Sequence, residues 1–170
     1  LAGKNALPLA VNQDKLAKLT NSLPFELTDS QKQNLKEILV DLQKPHPMNR
    51  LLQGDVGSGK TVIAALAAIF TAENNLQTAF MAPTEVLAGP HYSPIAKIFP
   101  DFSDGIALFT ASKTELNCES KLASKISKTQ LLKAIADGQV KIIIGTHAVI
   151  QKSVQFNNLA LAIVDEQHRF

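Results

Sequence analysis

Five apolar runs, Arg50–Gln53, Thr78–Ala82, Ile106–Phe109, Lys141–Gly145 and Leu159–Val164, recur along the 170-residue chain, and most of them are separated by segments of helical character. Most of these runs are apolar on successive rather than alternate residues, the pattern of strands covered on both faces. Helices are expected at Lys60–Ala72, rich in alanine and leucine, at Thr84–Phe99, and at Ser127–Asp137, where Asp137-Gly138 punctuates the end. The alternation predicts βαβ wiring, hence an α/β fold with a mainly parallel sheet flanked by helices. At 45% hydrophobic content, a chain of this length supports one domain with a substantial core.

Residues 1–26 read as a polar, partly helical leader from a preceding domain. Leu27-Thr28-Asp29-Ser30-Gln31 then opens a helix running to about Leu42, which places a domain boundary there. The stretch Thr110–Lys128, crowded with Ser, Thr, Lys and Glu, reads as a surface excursion of partly helical character. The chain starts at Leu1 without methionine and stops at Phe170 inside an ordered-looking stretch, as a piece of a longer protein would. A formal net charge of +2, with scattered basic residues, does not by itself announce a nucleic-acid partner. The single cysteine, Cys118, cannot form an intrachain disulfide and fits a reducing compartment. No apolar stretch approaches the roughly 20 residues of a membrane span, and the N-terminus lacks signal-peptide order, so a cytoplasmic location is expected.

The strongest chemical signal is Gly54-Asp55-Val56-Gly57-Ser58-Gly59-Lys60-Thr61, which fits G-x-x-x-x-G-K-[ST] between an expected strand and an expected helix. Glycines let consecutive backbone N–H groups curl round phosphate, the helix N-terminus adds its positive dipole end, and the Lys60 ammonium reaches the terminal phosphates. Thr61 stands where a hydroxyl binds Mg2+. Leu159–Val164 delivers Asp165-Glu166 at a strand's carboxyl end, where ligands bind such sheets. Asp165 is expected to hold the magnesium ion, and Glu166 to orient and deprotonate the water that attacks the terminal phosphate. The pair implies hydrolysis. No Asn-Lys-x-Asp guanine reader occurs.

Asp165-Glu166-Gln167-His168 resembles the DExH box of superfamily 2 helicases. Pro47-Met48-Asn49-Arg50-Leu51-Leu52-Gln53, Leu23–Thr28 and Gly145–Gln151 resemble further signatures of the bacterial branched-DNA helicases within that group. The resemblance covers roughly residues 23–170. It implies a RecA-like P-loop domain, incomplete at its C-terminus, as the first lobe (27–170) of an ATP-driven motor that remodels stalled forks and Holliday junctions. It also implies a second RecA-like lobe and a DNA-binding wedge domain on the same polypeptide, acting as a monomer in the bacterial cytoplasm.

Carried over by motif, Gln31 is similar to the glutamine that reads adenine upstream of the P-loop, and a side-chain amide can donate and accept at that base. An exposed polar residue in a helix's first turn explains Gln31 as simply. Phe25 packs beside the base or against the helix start. Pro83-Thr84 and Thr146-His147 resemble loops that grip one DNA strand through its phosphates, although Thr84 on its own reads as a helix cap. Gln167 and His168 are expected to couple nucleotide state to DNA. His147 and His168 lack partners at zinc-site spacing. Gly89-Pro90 departs from the family pattern and predicts a kink or delay in the helix after Thr84. Thr110-Ala111-Ser112 stands where the family has Thr-Gly-Ser and is assigned no role. Only Arg50 and Arg169 exist, neither aimed at a terminal phosphate, so an arginine finger is expected in the second lobe. Two other readings remain: a translocase of the transcription-repair coupling type, and a non-motor module in which ATP switches a protein-binding surface.

Overall fold

Helix starts in this chain are written by short polar residues. Asn12 caps α1 (Gln13–Asn21), its side chain accepting from the N–H groups of Asp14 and Lys15. Thr28 caps α2 (Asp29–Leu42) through a reciprocal capping box with Gln31. The third helix, α3 (Lys60–Glu73), differs: its cap is Gly59 in a left-handed conformation, φ 84°, with no side-chain cap bond. The computed structural model describes residues 6–55, 57–98, 105–118 and 121–166. It divides into two compact units, 1–74 and 75–170.

In the first unit, α2 buries Leu35, Ile38, Leu39 and Leu42, a stripe at helical spacing, and α3 buries nearly every residue from Ile63 to Ala72. The leader is folded onto these helices. Leu9 N–H donates to the Leu42 carbonyl at 2.9 Å, Ala10 N–H donates to Asn74 Oδ1 at 2.8 Å, and Leu9, Leu19 and Leu23 are buried. Lys15 pairs with Glu73. Arg50–Gln53, expected as a strand, is irregular. Its two apolar residues are too few to bury, Leu51 being 67% exposed. Arg50 is drawn instead to α2, where its guanidinium bonds Glu37 at 2.7 Å and Asp41 at 2.6 and 3.0 Å. Hydrogen bonds from Gln33 and Arg50 hold the Glu37 carboxyl below its ordinary range, as those from Lys44 and Arg50 do for Asp41.

The second unit holds β1 (Gln77–Met81), α4 (Glu85–Ile98), β2 (Ile106–Phe109), β3 (Thr114–Cys118), β4 (Lys121–Lys125), α5 (Lys128–Ala136), β5 (Ile142–Gly145), a 3-10 turn (His147–Ile150) and β6 (Leu159–Val164). The strands form one sheet in the order β4-β3-β2-β5-β1-β6. The four apolar strands β6, β1, β5 and β2 are parallel, and β3 and β4 extend the sheet antiparallel beyond β2. The expected excursion at Thr110–Lys128 is thus largely a hairpin, a correction to its helical reading. Helical structure resumes only at α5, capped by Ser127.

Side chains alternate across the sheet. Ala79, Ala107 and Ile143 face a cluster with Leu131 and Ile135 of α5 and Val149 of the 3-10 turn. The adjoining register row is Phe80, Ile144 and Leu108. α4 packs on β2 and β5, with Ala88, Tyr92 and Ile95 buried. It starts at Glu85 and is continuous across Gly89-Pro90, so the helix is not delayed there. Pro90 is exposed, and the carbonyl it cannot donate to belongs to Val86, itself 81% exposed. At the opposite end of the sheet, buried Gln77 donates to the carbonyls of Ile135 (2.9 Å) and Val140 (2.8 Å) and accepts from the N–H groups of Asn157 (2.8 Å) and Asn158 (3.0 Å). No helix among the described residues is long and apolar enough to cross a membrane.

Candidate functional site

In the first unit, the glycine-rich loop ends where α3 begins. Gly57 and Gly59 take φ values of 82° and 84°, a region costly for residues with a Cβ. Because α3 has no side-chain cap, its first N–H groups are not satisfied by a side chain, as an anion-binding helix start requires. The Lys60 ammonium donates to the carbonyls of Gly54 (2.6 Å) and Asp55 (2.8 Å), which folds the lysine along its own loop. Ser58 N–H closes the turn onto the Asp55 carbonyl at 3.1 Å. Thr61 is exposed on the first turn of α3. Val56 lies outside the described residues.

Gln31 joins this loop from α2. Its Oε1 accepts from Thr28 N–H at 2.9 Å, and its Nε2 donates to the Ser58 carbonyl at 2.9 Å. The residue is therefore both half of a capping box and a latch on the loop. A Cβ built on Gly59 would stand 2.4 Å from Gln31 Nε2, so the amide and the glycine are fitted to each other.

In the second unit, register brings the acidic pair and both threonine loops to one end of the sheet. Phe109, Gly145, Met81 and Val164 are partners in a single row across β2, β5, β1 and β6. The segments leaving that row carry Pro83-Thr84, Thr110–Ser112, Thr146-His147 and Asp165-Glu166. Ala82 N–H bonds the Gly145 carbonyl at 2.8 Å, and Asp165 N–H bonds the Met81 carbonyl at 2.9 Å, extending the ladder one residue past the strands. Gly145 sits so tightly that a Cβ there would lie 1.9 Å from the Phe109 carbonyl oxygen and 2.7 Å from Val149 Cγ2.

Thr84 is exposed at the head of α4 and caps it, its carbonyl accepting from Ala88 N–H at 3.0 Å. The Thr146 hydroxyl makes no cap bond to the 3-10 turn it precedes. Glu166 has φ 50°, a left-handed conformation that costs a residue with a side chain about 1–2 kcal/mol. Gln167, His168 and Arg169 lie outside the described residues.

Two participants were not anticipated from sequence. Glu85 accepts from Ser112 N–H at 3.1 Å and from the Ser112 hydroxyl, so the Thr110–Ser112 turn, which had no assigned role, is held against the start of α4. These bonds, the Ser112 hydroxyl first, keep the Glu85 carboxyl below its ordinary range. The other is His91, whose Nε2 lies 2.8 Å from Asp165 Oδ2. Among the described residues no group of three His, Cys, Asp or Glu side chains could hold a metal alone. A magnesium ion that keeps its waters and takes phosphate oxygens needs only one or two protein oxygens, so the absence of such a group does not argue against one.

Residues 28–170 match the DEAD/DEAH box helicase family. Over 160 residues the chain is 42% identical to the ATP-dependent DNA helicase RecG of Aquifex aeolicus, covering 94% of this chain and 19% of that protein. It is 44% identical over 166 residues to RecG of Streptococcus pneumoniae, covering 98% and 23%. The chain thus spans about a fifth of the length of the curated relatives it matches. Among solved structures, RecG bound to a three-way DNA junction superposes with a TM-score of 0.82 at 40% identity, covering 98% of this chain and 21% of that one. A hypothetical ATP-dependent RNA helicase from Sulfolobus tokodaii shares the fold, with a TM-score of 0.62 at 18% identity over 92% of this chain and 42% of that one.

Proposed function

The chain belongs to the DEAD/DEAH box helicase family, and on that footing we propose that residues 27–170 are the ATP-binding lobe of a DNA helicase of the RecG kind that remodels branched DNA. The observation that carries this reading is the single register row from which the acidic pair and both threonine loops emerge. A strand end that carries both hydrolytic acids and phosphate-gripping loops lets a movement caused by nucleotide reach DNA through a rigid sheet.

Each residue has a defined part in that activity. Backbone N–H groups of residues 54–59 and the start of α3 bind the nucleotide phosphates. Lys60 exchanges its bonds to two loop carbonyls for terminal phosphate oxygens. Thr61 offers its hydroxyl, and Asp165 its carboxylate, to Mg2+. That ion, when bound, supplies positive charge to the phosphates. Glu166 accepts the proton of the attacking water. Gln31 presents its amide to adenine, exchanging or sharing its bond to Ser58. Thr84, Pro83, Thr146 and His147 contact the DNA backbone without reading bases. Gln167 and His168 relay nucleotide state. The second lobe supplies the arginine finger, since Arg50 is committed to Glu37 and Asp41.

ATP turnover of the full-length protein, measured without DNA, with linear duplex and with a three-way junction, tests this reading. The junction is expected to stimulate most, and a Thr84→Ala, Thr146→Ala double variant is expected to lose stimulation while keeping nucleotide affinity. Unaltered stimulation in that variant removes the loops from the DNA site. Turnover indifferent to DNA favours an ATP switch over a motor.

A further inference from the structure

We propose that His91 is a positioning residue for Asp165, fixing the carboxylate that receives magnesium; this rests on the reading of Asp165 as a metal ligand. A carboxylate that serves as a magnesium ligand only accepts, so on that reading His91 Nε2 is the donor to Oδ2 across the 2.8 Å contact. The contact is sheltered, with side-chain exposures of 12% for His91 and 29% for Asp165.

The histidine itself is held on two sides. Its ring packs on Phe80, with centroids 5.0 Å apart and planes tilted by 36°. Its helix is anchored by the buried side chains of Ala88, Tyr92 and Ile95, which stand three residues before, one after and four after it. Asp165 is pinned at its backbone as well, through the N–H bond to Met81. What remains free in such an aspartate is its two side-chain torsions, of which rotation of the carboxylate is broad and without a strong intrinsic preference. Committing Oδ2 to His91 removes that freedom and leaves Oδ1 to the ion or to its water. Partners of this second kind orient metal ligands, and losing them weakens metal affinity by about 10–100-fold.

Nothing near His91 in sequence signals this role, because its partner is 74 residues away. A histidine that only braced α4 against β6 would affect stability and not the response to metal. The test separates the two in the full-length protein with three variants: His91→Phe keeps a ring on Phe80 but has no donor, His91→Ala has neither, and His91→Gln restores an N–H donor. A fluorescent ATP analogue is titrated at fixed nucleotide with increasing Mg2+, and separately in EDTA.

The expected result is a tenfold or greater rise in the Mg2+ concentration for half-maximal binding in His91→Phe and His91→Ala. Affinity in EDTA should be unchanged within twofold, and His91→Gln should lie within about threefold of the parent. An unshifted Mg2+ midpoint in whichever of the Phe and Ala variants folds overturns the proposal. Equal weakening with and without Mg2+, or failure of His91→Gln to recover, does the same. Asp165→Asn is run beside them. If it leaves the Mg2+ response intact, Asp165 is not a ligand and the underlying reading fails, an outcome distinct from a silent His91.

Discussion

Replacing Gly59 by alanine tests the phosphate loop at its tightest point. Gly59 has φ 84°, and placing a Cβ in that region costs about 1–2 kcal/mol. The same Cβ would stand 2.4 Å from Gln31 Nε2, so the amide must swing away and give up its 2.9 Å bond to the Ser58 carbonyl, worth about 1 kcal/mol. The free loop can relax to relieve both penalties, but they return when its N–H groups must close on phosphate. The cost of about 2–3 kcal/mol is therefore expected in affinity, as a 30–150-fold weaker ATP dissociation constant at about 1.4 kcal/mol per tenfold. Isothermal titration of Gly59→Ala, Gln31→Ala and the double variant separates the parts. Because the alanine has already broken the latch, removing Gln31 in that background should cost only what its adenine contact contributes, about 1 kcal/mol less than removing it from the parent, giving a coupling near 1 kcal/mol. Additive losses would refute the shared origin, and a Gly59→Ala loss below fivefold would refute the strain argument.

Glu166→Gln is expected to abolish ATP turnover while leaving nucleotide binding intact, and steady hydrolysis by this variant would remove Glu166 from catalysis. Gln77→Leu takes the partner from two N–H donors and should lower the free energy of urea unfolding by about 2–3 kcal/mol; an unchanged midpoint would count against the network. The Glu85 carboxyl lies below its ordinary 4.5, so the stabilisation it gives is complete above that value and fades as pH falls through the folded pKa. Glu85→Gln should accordingly flatten the acid limb of the stability curve below about pH 4.5, and superimposable acid limbs would disprove the link. Residues 1–170 expressed alone are expected to hydrolyse ATP slowly with little DNA stimulation, because the arginine finger is proposed to stand on a second lobe, and robust stimulation of this piece alone would overturn that assignment.

Of the strands legible in the sequence, β1, β2 and β5 are buried on both faces, whereas β6 was legible from its apolar run although most of its residues are exposed or half-buried. Ile142, Ile143 and Ile144 announce β5 because each side chain meets a covered surface. β3 and β4 escaped notice for the opposite reason: Thr114–Cys118 and Lys121–Lys125 add antiparallel to the flank of the sheet, and their polar composition looks like that of a loop. Arg50–Gln53 misled because two leucines imitate a strand, while the force on the segment is Arg50's attachment to two acids of α2. Candidate site residues in a contiguous motif could be proposed from sequence alone, since Gly54–Thr61 and Asp165-Glu166 carry their spacing with them. His91 and the Glu85–Ser112 link could not, because each depends on a partner that only the folded sheet delivers.

The closeness of Gly145 to Phe109 bears on how such a protein can diversify. No residue with a Cβ fits at the end of β5 without driving β2 and β5 apart. That position is therefore shut to mutation. Variation in the loop it feeds must begin at Thr146 and beyond, so the loops at this end of the sheet can be rewritten one at a time while the row that aligns them with Asp165 and Glu166 stays where it is. The frame is fixed and only its fringe is open to change.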